Sequence, residues 1–193
     1  MAMRHAAFLV ATGATACAPE DRSPEVPPVT WFGEHLEYAP QDGAPEPCAG
    51  TLPYMDRFVE LATDAMGIEI HEPLVFVHGD DARAMCDGES VSGCVFQDVI
   101  FARDVPQEHE LVHGARARYG FSSPFFEEGT AEMLGDDMYM PMRTPAHGDV
   151  VEGMILGSDR KLPSEWYPRA GHFAAFLHDE YGPEVTTALL EKT

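Results

Sequence analysis

Residues 107–113 read Gln107-Glu108-His109-Glu110-Leu111-Val112-His113, and the five from His109 onward, HELVH, decide how the rest of the chain is read. On a helix, residues four apart project from one face with their Cβ atoms about 5–6 Å apart, so the imidazoles of His109 and His113 can reach one metal ion. Glu110 lies one step round the helix, where it can hold a water that the metal also binds without being a ligand itself. The punctuation supports a helix: Pro106 is expected to open it, where a missing N–H costs nothing, and Gly120 to stop it.

A tetrahedral catalytic zinc takes three protein ligands and keeps one open position. Ser123 and Pro124 read as the cap and first residue of a second helix, PFFEEGTAEML, ending before Gly135. Glu128 falls fifteen residues beyond His113, and the turn residues Gly120 and Ser122 to Pro124 let the second helix fold back antiparallel to the first. Glu128 is therefore expected as the third ligand of a Zn2+ ion. Glu132, one turn further on, is expected to accept an N–H from a ligating histidine and fix its tautomer. The alternative for Glu127, Glu128 and Glu132 is a solvated acidic face. Phe125 and Phe126 just ahead favour a docked helix.

Toward the N-terminus, Cys94 to Phe101 (CVFQDVIF) reads as one strand and Leu74 to His78 (LVFVH) as an inner strand. Thr51 to Met66 has Met55, Phe58, Val59, Ala62 and Met66 at helical spacing, with Thr51 able to cap and Gly67 ending the helix. His35 to Ala39 suits a short strand. Toward the C-terminus, Asp136 to Pro163 is loop-rich, with Met138, Met140 and Met142 placed for loop packing or an apolar subsite. Trp166 to Tyr181 is expected as a helix with Phe173, Phe176, Leu177 and Tyr181 on one face, followed by a last short helix to Glu191. His71 and His78 flank a strand and are read as structural; His5, His35, His147 and His178 have no partner spacing. With 193 residues the expectation is one α+β domain over 31–193.

HELVH, then FFEEGTAE, then YPRAGHFAAFLHDEYG resemble the glutamate-zincin metallopeptidases of the MA-like type, over about Pro106 to Gly182. The resemblance implies a zincin-like fold, with His109, His113 and Glu128 as zinc ligands, Glu110 as general base and Glu132 behind the ligands. It also implies that the strand at Cys94 to Phe101 is an edge strand pairing with substrate backbone. Tyr167 falls in a stretch that resembles the one carrying a catalytic tyrosine, which would donate a hydrogen bond to the developing oxyanion. Its alternative is to pack the helix start, leaving His172 as the competing donor. His172 also departs from the family pattern, which more often has a small residue there.

Twelve Lys and Arg stand against 33 Asp and Glu, a formal charge of −21 that excludes a nucleic-acid footprint. Residues 1–17 read as a secretory signal, too short to span a bilayer. Its end, Ala14-Thr15-Ala16-Cys17, resembles a bacterial lipobox in which Cys17 is lipidated; ordinary secretion is the alternative. Ala18 to Thr30 is an acidic, proline-rich tether. Cys86 and Cys94 close a loop with Asp-Gly and Ser-Gly turn steps and are the expected disulfide, which leaves Cys48 as a buried thiol; two bridges without a lipid are the alternative. The expected function is hydrolysis of peptide bonds by metal-activated water, in an exported chain whose partners are peptides or proteins and whose one membrane contact is the lipid anchor. The alternative is an inactive zinc-holding envelope lipoprotein that captures peptides by strand addition.

Overall fold

A computed structural model describes residues 25–80, 85–86, 92–119, 122–135 and 162–190. Cys17, the three methionines Met138, Met140 and Met142, and His147 lie outside the described residues. Five strands, β1 (Trp31–Phe32), β2 (Leu36–Pro40), β3 (Leu74–His78), β4 (Gly93–Phe96) and β5 (Val99–Ala102), form one sheet in the order β1-β2-β3-β5-β4. Strands β2, β3 and β5 run parallel, and β1 and β4 close the two edges antiparallel. With helices α1 (Thr51–Met66), α2 (Glu108–Ala117), α3 (Pro124–Gly135), α4 (Tyr167–Tyr181) and α5 (Pro183–Leu190), the described chain is α+β. None of these helices is long and apolar enough to cross a membrane.

Alternation along the strands sends side chains to opposite faces. Leu36, Tyr38, Leu74, Phe76, Ile100 and Ala102 meet Met55, Val59, Ala62 and Met66 of α1 and Leu111, Val112 and Ala115 of α2 in the main core. Each fully buried Leu, Ile, Val, Phe or Met side chain contributes about 1.5–3 kcal/mol. The other face carries Ala39, Val77 and Phe101 against Cys86. That cysteine is bonded to Cys94, with Cα atoms 5.8 Å apart, as the spacing predicts.

Several boundaries differ from expectation for local reasons. CVFQDVIF is not one strand but the β4–β5 hairpin: Gln97 and Asp98 take φ of 48° and 63°, the left-handed backbone of a two-residue turn. Gln-Asp is a rare dipeptide there, and apolar residues flank it on both sides, so the run reads as continuous. Helix α2 starts at Glu108, not Pro106: Gln107 takes the cap position in non-helical backbone, and Pro106 lies in the irregular connection after β5. Thr51 is the first residue of α1, whose cap position is Gly50 without a side-chain bond. Gly67 ends α1 as expected, in left-handed geometry. Cys48 is exposed, not buried, because it lies in the proline-rich loop between β2 and α1.

Helix α4 is preceded by a 3-10 turn, Ser164–Trp166, and buries a different face from the aromatic one. Ala170, Gly171 and Ala174 are buried, whereas Phe176 and Tyr181 are 48% and 60% exposed. The reason is the approach of α3. A Cβ on Gly129 would lie 2.7 Å from the Ala170 carbonyl oxygen, and one on Gly171 would lie 2.7 Å from the Glu132 Cβ. Small residues on both helices let them cross nearly backbone to backbone; Phe173 packs beside the crossing on Phe125 and Phe126, and Phe176 and Tyr181 stay outside it.

Candidate metal centre

Three helices bring the centre together. Leu111, Val112 and Ala115 commit one face of α2 to the sheet, which turns His109 and His113 toward α3. Helix α3 is held against them by a buried ion pair: Arg116 donates to Glu127 Oε1 at 2.7 Å, with 1% and 7% of the two residues exposed. The same oxygen accepts the Ser122 N–H at 2.6 Å, tying down the turn before α3. Glu127 is thus a clamp, not part of a solvated face. Sequence reasoning missed the pair, although Arg116 stands two helical turns from His109 and therefore shares its face.

The clamp sets Glu128 opposite both histidines. Glu128 Oε2 lies 3.2 Å from His109 Nε2 and 3.4 Å from His113 Nε2, and the two nitrogens are 3.1 Å apart. Ligands about 2.0–2.1 Å from one ion at tetrahedral corners are roughly 3.3 Å from one another. The His109, His113 and Glu128 atoms match that triangle, so these residues could hold a metal ion. The donor chemistry agrees. Two imidazole nitrogens and a carboxylate oxygen suit a borderline cation such as zinc, and a cation at their centre lets all three lone pairs point inward.

Burial works against the charge of Glu128, but hydrogen bonds and charge from His109 and His113 outweigh it and bring the carboxyl to about 2. Burial likewise pushes the His113 imidazole down, and Glu128 more than reverses it, leaving that pKa raised. Glu132 Oε1 stands 3.6 Å from His109 Nδ1, an ion-pair separation on the ring's far side from Glu128.

Glu110 is 8% exposed and contributes no atom to the triangle. Burial raises its carboxyl pKa, with the two histidines pulling the other way. Tyr167, the first residue of α4, stacks on His109 with ring centroids 6.1 Å apart and planes 7° from parallel. Burial and the Glu128 carboxylate, to which its hydroxyl is bonded, push the phenol above its ordinary value, so it stays protonated as a donor. His172 is exposed. Five residues beyond Tyr167, it projects well round the helix from the centre.

Gly93 corrects the sequence reading: expected with Ser92 as a turn step, it begins the edge strand β4 instead. A Cβ there would stand 2.7 Å from Glu110 Cγ and 3.0 Å from the Phe101 carbonyl oxygen. A Ser-Gly step reads locally as a turn, and only the approach of Glu110 shows why the strand needs glycine there. Compared with protein-family models, with curated proteins and with solved structures, the chain matches none of them.

Proposed function

We propose that the chain is a zinc-dependent peptidase of the glutamate-zincin kind, exported and tethered to the cell envelope by a lipid on Cys17. The observation that carries the reading is the triangle of 3.1, 3.2 and 3.4 Å among His109 Nε2, His113 Nε2 and Glu128 Oε2, with a buried carboxylate and a phenol beside it that do not join it. Zinc held there would supply a Lewis acid for the scissile carbonyl and lower the pKa of a bound water to about 7.

The chain's own groups do the rest. Glu110 accepts the proton of the attacking water and passes it to the leaving amine, a transfer favoured by a carboxyl whose pKa burial has raised. Tyr167 keeps its proton and turns its O–H from the Glu128 carboxylate to the oxygen on which negative charge develops. Glu132 sits on the Nδ1 side of His109 and favours the tautomer that leaves Nε2 bare. Among the described residues no strand pairs with the outer side of β4, so an extended peptide can add there.

Turnover of a mixed peptide library by the zinc-loaded chain tests the reading. Glu110→Gln should retain zinc and lose at least about 10²–10⁴ in rate. Zinc bound by both proteins with no cleavage by either would favour the inactive, peptide-capturing lipoprotein. Parental turnover by the variant would remove Glu110 as the base.

A further inference from the structure

The start of β4 is held from both faces of the sheet. In the register across the sheet, Gly93 pairs with Ala102 and Cys94 with Phe101. Ala102 belongs to the core under α1 and α2, and Phe101 to the opposite cluster with Cys86. Successive residues alternate, so Gly93 turns its bare Cα toward α2 while Cys94 turns its sulfur to the other side. There Cys94 is bonded to Cys86, and the Arg103 N–H donates to the Ser92 carbonyl at 3.0 Å, extending the pairing one residue before the strand.

On the α2 side the contact is close. The place a Gly93 Cβ would take is 2.7 Å from Glu110 Cγ, 3.1 Å from its Cδ and 3.0 Å from the Phe101 carbonyl oxygen. Neither neighbour yields easily. One is backbone inside a strand pair, and the other is the stem of the Glu110 side chain, with its carboxyl carbon next behind it. A methyl group at residue 93 must therefore displace the Glu110 carboxylate or push the strand end outward, and the disulfide resists the second movement.

We propose that Gly93 is a positioning residue for Glu110 and that the Cys86–Cys94 disulfide holds it in place, so that the competence of the site follows the redox state of that disulfide. This rests on the peptidase reading for its effect on rate, though not for the contact itself. The redox step needs a reductant, and a water-soluble phosphine serves. It cleaves the S–S bond, two electrons pass to the sulfurs, two protons from water complete the two thiols, and the water oxygen leaves as phosphine oxide. Opening the bond frees the far-side anchor of the strand start, and the Glu110 carboxylate loses the fixed wall against which it lies.

The experiment compares the zinc-loaded parent, Gly93→Ala, and the double variant Cys86→Ser/Cys94→Ser. For Gly93→Ala a crystal structure should show the Glu110 carboxylate displaced, and kcat should fall about 10²-fold with KM and zinc content within about twofold, since a misplacement near 1 Å costs that much. Phosphine should lower the parent's kcat at least about fivefold and leave the double variant, already low, unchanged, which separates disulfide cleavage from loss of metal. A Gly93→Ala structure with Glu110 in its parental place, or parental kcat in that variant, overturns the positioning role. Parental kcat after complete reduction overturns the redox dependence. If the parent cleaves no peptide, the peptidase reading fails on its own. The structures of Gly93→Ala and of the double variant then decide whether Gly93 and the disulfide set the Glu110 carboxylate.

Discussion

Two histidine environments in this molecule make opposite use of burial. His78, at the end of β3, is 1% exposed. Its Nε2 lies 3.0 Å from the Arg103 carbonyl oxygen, which can only accept, so Nε2 carries the hydrogen. Its Nδ1 is then bare and accepts the Tyr38 O–H at 2.6 Å. One neutral tautomer satisfies both nitrogens. At the α2–α3 seam, by contrast, the Nε2 atoms of His109 and His113 face each other at 3.1 Å and share one oxygen of Glu128. A proton on either nitrogen leaves one of those contacts between like lone pairs, whereas a central cation serves all three. A structural histidine is recognised by a donor and an acceptor that fix its tautomer, and a ligand set by acceptors that converge.

The comparison breaks first at the clamp. Arg116→Ala leaves Glu127 buried without its partner guanidinium and should cost about 3–5 kcal/mol, read as a lowered urea midpoint. A loss under about 1 kcal/mol would mean that the seam is held by its apolar contacts alone. Tyr167→Phe keeps the ring on His109 and removes only the hydroxyl; kcat should fall by roughly 10²–10³ with zinc retained, and a loss under about threefold would assign Tyr167 to packing.

The two carboxylates on α3 sharpen it next. Glu132→Ala should weaken zinc about 10–100-fold in chelator competition, as loss of an orienting partner does, and Glu128→Ala should weaken it further because a ligand is gone. Equal losses would remove Glu128 from the ligand set. The smallest effect belongs to His78. Burial lowers its pKa below the unfolded value of 6.5. Above that value both states hold it neutral; as pH falls through it, the unfolded chain binds a proton that the folded chain resists, so stability drops with acid. His78→Gln should flatten the decline in stability between about pH 7 and 5, measured against the parent. Parallel profiles would show that His78 contributes nothing to it.

Legibility followed range. Helix α1 with its Gly67 stop, strand β3 and the α3 span were all readable because each is written in a local period or a local breaker. The bond between Cys86 and Cys94 was readable for the same reason, since turn residues lie between them. The β4–β5 turn was hidden, because Gln-Asp does by backbone conformation what Asn-Gly usually signals by composition. The buried face of α4 was hidden for a related reason. Phe173, Phe176 and Tyr181 do share a face, as their spacing reads, but the close approach of α3 buries Ala170, Gly171 and Ala174.

What the sequence by itself determined is the local part of the centre: two histidines four apart on one helix face, a glutamate one step round, and a second helix that carries Glu127, Glu128 and Glu132. The spacing of a helix is a property of the backbone, so no tertiary contact is needed to read it. Only the tertiary structure decided that Arg116 and Glu127 lock the two helices, that Tyr167 lies on His109, and that Gly93 walls off Glu110. Those contacts join residues far apart in the chain whose types suit many surroundings. Their partners are chosen by how closely the elements pack, a quantity that no local pattern carries.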